Sequence, residues 1–444
     1  MGEFLAGVAQ VDFTPPTGLP LMGNFRDDYA ARGVHDRLCA RAVVFEDQAG
    51  HRAAILSVDI CMLDRHNVAM IREVAARLCA LKPEEILVCA THTHSAPAPM
   101  HLGPLPKSPV DAVEAFLAKA ASALGDAFDD RRPATIHGGH ASEGRVSFNR
   151  RLHCRDGQTH MNWEGLDPEF VIEPLGPVDP QISTLHFQRD DRPVGALVNF
   201  GLHPAILAGD NWMYSADFPG YLAEGLSRMH EPDFVTVFGN GACGDVNHID
   251  YADPRQGRGF QMAQRVGYML AVAAFEAMRC SRSPAGSPVV AVSHEKVPLP
   301  RLHISSEDLD WCRRVLEDAA QRGPAMGRTD GVPDEYYARI RLKMHELQES
   351  NDAVEVMVLR VGETGIVGLP GELFCTLGLA IKLASPARQT LVIGLANDAV
   401  GYLPTREAYA LGGYEVTPGA TKYQPGCGEL LVESAVRQLK ALFS

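Results

Sequence analysis

Four residues with metal-ligand or acid–base chemistry stand where apolar runs give way to loops. His92-Thr93-His94 closes the run Glu85 to Ala90. Side chains two apart on a strand point to one face, so this spacing offers two imidazoles together, as a metal site or an acid–base pair requires. Two polar loop residues would read the same way, and the motif alone leaves both readings open. Ser95 and Ala96 follow His94, so His-x-His-x-Asp-His is absent, and His-Glu-x-x-His does not occur. His203 follows the run Val194 to Phe200 and precedes Pro204, which disfavours helix at the histidine and holds its backbone extended. A structural histidine is the alternative there. Glu372, in Leu369-Pro370-Gly371-Glu372, falls at a strand-to-helix junction, where a carboxylate also suits the first helical turn. Tyr402 and Tyr414 sit in a loop beyond a run ending near Leu395. Two neutral imidazoles and a carboxylate form a ligand set suited to catalytic zinc, which keeps a position open for water.

These residues need elements to hold them. Ala53 to Ile60 and Glu85 to Ala90 predict strands, with a helix over Val68 to Leu81 between them. Pro109 to Phe128 is helical, Val194 to Gly201 a strand, Tyr221 to Met229 a helix, Phe234 to Phe238 a strand and Gly259 to Arg279 a long helix. Strand followed by helix, repeated, predicts an α/β fold. His92, His203, Glu372 and Tyr402 each follow a predicted strand, and sites in α/β proteins gather beyond the carboxyl ends of strands. Two charged helices, Ser305 to Arg322 and Glu335 to Ser350, joined by the loop Gly323 to Pro333, interrupt the pattern. It resumes with Val354 to Val361, Gly365 to Leu369, a helix from Glu372 and the strand Thr390 to Leu395. Without a repeat or a biased linker, residues 1–444 read as one domain with a helical excursion at about 303–350.

Composition narrows the function classes. The 41 basic and 55 acidic residues leave a formal charge of −14, which excludes a general binder of nucleic-acid phosphates. No run of about 18 apolar residues offers a membrane span. The amino terminus has no basic region leading into an apolar stretch, and ten cysteines stand singly, without a Cys-x-x-Cys pair. That usage fits reduced thiols in a cytoplasm and excludes zinc held by paired cysteines. The expected partner is a small-molecule substrate, with neither nucleic acid nor membrane; the oligomeric state is not legible.

An ordered set of motifs goes further. Ala6-Gly7-Val8-Ala9-Gln10-Val11-Asp12-Phe13-Thr14-Pro15-Pro16, Gly33-Val34-His35-Asp36, Ser57-Val58-Asp59, Thr91 to His94, Asn149-Arg150, Phe200 to Pro204, Pro370-Gly371-Glu372, Ala396-Asn397, Gly401-Tyr402 and Tyr414-Glu415 occur in that order. Over nearly its whole length the chain resembles the amino-terminal catalytic domain of the neutral/alkaline non-lysosomal ceramidases. The resemblance implies two β-sheets flanked by helices and a zinc-dependent amidase. It implies His92, His203, Glu372 and Tyr402 as zinc ligands, His94 as hydrogen-bond donor or proton shuttle, and Arg150 and Tyr414 as contacts to substrate or oxyanion.

Asn247, in Gly244-Asp245-Val246-Asn247-His248, stands where the family has a serine, and the sequence ends soon after Leu430 to Leu442, without the family's carboxy-terminal domain. The expected protein is therefore a short cytosolic relative that hydrolyses an amide (N-acyl) bond of a small soluble substrate with a zinc-activated water. A lactonase or esterase at the same site is the first alternative, and a non-catalytic binding protein the second. Asp59 and Asp245 are read either as carboxylates orienting the imidazoles or as loop caps. The Pro97 to Pro106 loop, the Asp210 to Pro219 loop and the helical excursion are expected to wall the pocket.

Overall fold

The computed structural model describes residues 3–444 except 27, 104, 254, 285 and 323–332. Three large sheets form the centre. The first runs in the order Ile86–Ala90, Arg52–Val58, Cys39–Glu46, Leu5–Asp12, Arg132–Pro133. The second is Val235–Asn240, Arg192–Phe200, Gln181–Arg189, Thr135–Ser142, and the third Val290–Pro300, Asn351–Val361, Thr364–Gly368, Gln389–Ile393. Each is mostly antiparallel and contains one parallel pair, Arg52–Val58 with Ile86–Ala90, Arg192–Phe200 with Val235–Asn240, and Thr364–Gly368 with Gln389–Ile393. A parallel pair needs a crossover, and in each case the crossover is a helix: Arg65–Leu78, Asp217–Met229 and Cys375–Ala384.

The expected α/β class and helix-flanked core are present, with three large sheets where the resemblance implied two. The strands from 290 to 393 pair among themselves rather than widening an earlier sheet. Their inner faces meet in one apolar interior, where Phe45 and Ile55 of the first sheet, Phe187 and Val237 of the second, and Leu359 and Ile393 of the third are all buried. Helices cover the outer faces. In Phe260–Arg279, Ala263, Val266, Gly267, Leu270, Ala271 and Ala274 are buried, the spacing of one helical face. Gly267 lets Asp217–Met229 approach, since a Cβ there would lie 2.5 Å from that of Tyr221.

The sequence reading missed Leu5–Asp12, Cys39–Glu46, Thr135–Ser142, Gln181–Arg189 and Val290–Pro300 as strands. Thr135–Ser142 reads TIHGGHAS, with two histidines and two glycines in place of an apolar alternation; a Cβ on Gly139 would stand 2.1 Å from the Ala277 carbonyl oxygen of the covering helix. The helical excursion is present as Ser306–Arg322 and Asp334–Leu347, while all of its joining loop but Pro333 lies outside the described residues. Among the described residues no helix is long and apolar enough to cross a membrane.

Candidate metal centre and substrate cavity

Each large sheet sends one residue to a common point. His92 lies just past Ile86–Ala90, His203 just past Arg192–Phe200 and Glu372 just past Thr364–Gly368. His92 Nε2 is 2.9 Å from His203 Nε2, and each is 3.4 Å from Glu372 Oε2. All three side chains are buried. Edges of 2.9–3.4 Å are close to the roughly 3.3 Å between donors of a tetrahedral site with bonds of about 2.0 Å.

Backbone carbonyls set the tautomers. His92 Nδ1 is 2.8 Å from the Cys61 carbonyl oxygen, and His203 Nδ1 is 3.2 Å from that of Cys243. With each Nδ1–H so donated, both Nε2 lone pairs turn toward Glu372, whose buried Oε2 has no hydrogen-bond partner. Inward lone pairs and an unsatisfied buried carboxylate oxygen fit a divalent cation, and ligating imidazoles ordinarily donate their outer N–H in this way. Asp59 and Asp245, read as candidates for that orienting role, do not touch the imidazoles. Asp59 pairs with Arg41 at 2.8 Å. Asp245 accepts from Asn149 Nδ2 and from the Cys375 N–H at the start of Cys375–Ala384, the capping role of its alternative reading.

Two local expectations change in their cause. His92 and His94 come together, Nε2 to Nε2 at 3.3 Å, through a turn rather than strand alternation: the strand ends at Ala90 and His92 has φ 76°, a left-handed conformation that L-residues seldom adopt. The His92 N–H donates to the Ile60 carbonyl, which holds that turn. Glu372 is not in a helix. It begins the short strand Glu372–Leu373, parallel to Tyr402–Leu403, with Glu372 opposite Tyr402. The helix starts at Cys375, so the dipole reading of Glu372 falls away.

Around the triangle, Arg150 lies 3.4 Å from His203 Nδ1 and 5.2 Å from the centre of the Tyr402 ring. Its Nε donates to Glu415 Oε1 at 2.7 Å, and Arg151 takes the other Glu415 oxygen at 2.7 Å. Arg150 Nη2 is buried without a partner. Tyr414 packs edge-on against Tyr402 and Trp163. Burial drives both phenols above their ordinary pKa, reinforced by Glu372 and opposed by Arg150, so both stay protonated. Burial, with His92, Arg26 and Arg150 nearby, pushes His94 well below the usual histidine range, leaving it neutral. His94 Nδ1 faces Asn24 Oδ1 at 3.4 Å, and its carbonyl accepts from Arg26. Asn247 forms a reciprocal amide pair with Asn162 at 2.7 and 2.8 Å.

The sequence reading missed the supporting roles of Glu415, Asn24, Arg26 and Trp163. Glu415 was visible only as the neighbour of Tyr414, and no spacing linked it to Arg150, 265 residues away.

His92, His94, Glu372, Tyr402 and Tyr414 line a cavity of about 780 Å³. The loop residues Met100, Leu102 and Leu105 form one apolar wall, and Tyr336, Ile340 and Met344 of Asp334–Leu347 form another. Of the expected walls, no residue of 210–219 lines it; Asn211 and Ser215 instead brace Ser95 and Thr93 from behind. A smaller cleft of about 310 Å³ between Ile136 and Gln389 holds none of these residues.

Three sheets that converge on two histidines and a carboxylate beside a cavity with apolar walls define an α/β protein with a residue group able to hold a metal ion. The profile of the family described as neutral/alkaline non-lysosomal ceramidase, N-terminal, matches residues 4–249, and the chain belongs to that family. It is 25% identical to the neutral ceramidase of Pseudomonas aeruginosa over 94% of this chain and 69% of that one. To the neutral ceramidase of Mycobacterium tuberculosis it is 23% identical over 89% and 70%. The crystal structure of the Pseudomonas aeruginosa neutral ceramidase superposes with a TM-score of 0.76 at 20% identity, covering 100% of this chain and 75% of that chain. A structure described as ceramidase complexed with C2 gives 0.75 at 19% identity. At those identities the superpositions show a shared fold.

Proposed function

We propose that the chain is a zinc-dependent amidohydrolase, one catalytic unit over residues 1–444, that cleaves the N-acyl bond of a small acylated amine. The observation that carries this reading is the triangle of His92, His203 and buried Glu372, whose Oε2 has no hydrogen-bond partner, at the edge of the cavity, in a chain of a hydrolase family. His92, His203 and Glu372 would hold the ion, with Tyr402 as a fourth ligand through its phenolic oxygen. Zinc there would supply Lewis acidity toward a carbonyl oxygen and bring the pKa of a water toward about 7.

The chain's own residues supply the rest. The buried phenol of Tyr414 and the spare Nη2–H of Arg150 are donors for the charge that develops on the carbonyl oxygen, and one such donor contributes about 3 kcal/mol. Neutral His94, 3.3 Å from His92 Nε2, can accept the proton released by the attacking water and return it to the departing amine nitrogen. The apolar walls suit an acyl arm and exclude water around it. Ten free thiols accord with a reducing, cytoplasmic setting.

The test is a metal assay joined to a substrate panel. Protein purified without chelators should carry about one zinc per chain, and His203→Ala should carry far less. Acylated amines should be hydrolysed in preference to matched esters and lactones. A metal-free preparation of full activity would end the reading, and a reversed preference would move it to the ester or lactone alternative.

A further inference from the structure

The cavity carries a positive charge for which the hydrolysis of an amide has no use. Lys422 lines it, and its ammonium makes no hydrogen bond or ion pair with any described residue. The nearby carboxylates are already engaged. Asp352 receives Arg65 at 2.8 Å, Arg301 at 3.2 Å and the Tyr423 hydroxyl at 2.9 Å, and Asp398 receives Arg65 at 2.7 Å. Three cations thus face two carboxylates. Lys422 is half-buried, and that burial pulls it below its ordinary pKa against the opposing pull of Asp352 and Asp398. On the helix Asp334–Leu347, Lys343 is paired with Glu346 at 2.7 Å while Arg339 is exposed. In a chain of charge −14, this cavity has a cationic side.

Position tells which part of a substrate would meet it. Lys422 follows the segment Gly419-Ala420, and the Ala420 carbonyl accepts the Tyr402 N–H at 3.2 Å. Lys422 thus stands two residues from the backbone that pairs with Tyr402, whereas Met100, Leu102 and Leu105 form an apolar wall from a separate loop. We propose that the amine part of the substrate bears an oxyanion, a carboxylate or a phosphate, and that Lys422 binds it with Arg301 alongside. This specificity rests on the amidase reading above.

The test compares N-decanoylethanolamine, N-decanoylglycine and N-decanoyl-phosphoethanolamine as substrates of the zinc-loaded full chain. The two anionic amides should show kcat/KM at least tenfold higher, mainly through KM. Lys422→Met should cut that preference about tenfold, Lys422→Arg should keep it, and Lys422→Glu should shift it toward N-decanoylethylenediamine. Equal rates on neutral and anionic amides, or a folded Lys422→Met that keeps the preference, would overturn the proposal and leave the amidase reading standing. Preference for an acyl-terminal carboxylate over N-decanoylglycine would also overturn it. Should no amide be hydrolysed, the amidase reading fails instead. Calorimetric binding of decanoylglycine to metal-free protein then decides for Lys422, with tenfold weakening in Lys422→Met supporting the site and unchanged binding overturning it.

Discussion

Glu415 is the residue on which the substrate side of the centre rests. Its side chain is 0% exposed and holds two guanidiniums, those of Arg150 and Arg151, exposed by 4% and 2%. Removing one partner of a buried ionic group is far more damaging than never having built it, because the remaining charge stays in low dielectric. Glu415→Ala is expected to lose about 3 kcal/mol or more in guanidinium-chloride unfolding, with Glu415→Gln intermediate; a loss under about 1 kcal/mol would mean that Arg151, which also donates to the Gly412 carbonyl, is satisfied without it. A second residue-scale effect concerns pH. Burial pushes Asp217 up to about 6, against hydrogen bonds from the Leu207 and Phe218 N–H groups. A carboxyl raised in the folded state binds more protons there than in the unfolded chain, so stability falls as pH rises from about 4 to about 6. Unfolding free energies measured over that window should show wild type losing roughly 2 kcal/mol relative to Asp217→Asn; parallel curves would show that Asp217 ionises normally.

At the scale of elements, the short strand Glu372–Leu373 is the least legible part of the site and the most tightly set. Its place depends on a close approach: a Cβ on Gly244 would lie 2.3 Å from the Glu372 carbonyl oxygen, and the Gly244 N–H donates to the Leu373 carbonyl. Gly244→Ala must push the Glu372 backbone aside. It is expected to weaken zinc binding at least tenfold, in line with other losses of support behind a ligand, while the circular dichroism spectrum stays native. Competition with a chelating dye would measure this, and an unchanged affinity would show that the strand yields at no cost. The sequence disclosed the strands before His92 and His203, which bury continuous runs, and the crossover helices, such as Arg65–Leu78 with Val68, Ile71 and Ala75 buried at helical spacing. It did not disclose a two-residue strand, because two residues carry no periodicity; Pro370-Gly371-Glu372 looked like a helix start, and only pairing with Tyr402 from a distant segment decides otherwise. The clustering of His92 and His94 was legible, but its cause was not, since φ 76° leaves no mark in residue types.

For the whole molecule, the geometry makes the site an intersection. One donor comes from the carboxyl end of each sheet's parallel pair, so an ion bound by all three would link the sheets across their shared interior. Binding that exists only in the folded state stabilises by mass action, about 2.7 kcal/mol at a ligand concentration one hundredfold above Kd. Chelation is therefore expected to lower the melting temperature by several degrees, with zinc restoring it; a melting curve indifferent to chelator would show that the sheets hold together unaided. That the three strand ends meet was only partly legible, because sheet membership is decided by pairings that single strands do not announce.

The third sheet has one more consequence. Val290–Pro300 and Asn351–Val361 are antiparallel neighbours, and Pro300 stands directly opposite Asn351. To that sheet, everything between residues 300 and 351 is a hairpin connection, however long. An exchange of those residues for a tight turn would leave the pairings within that sheet, His92, His203 and Glu372 in place, and would remove Arg301 and the wall made by Asp334–Leu347 while Lys422 stays. The acyl wall is in effect a cassette. A lineage could resize what it accepts by trading that one insertion, with the hydrolytic machinery inherited unaltered.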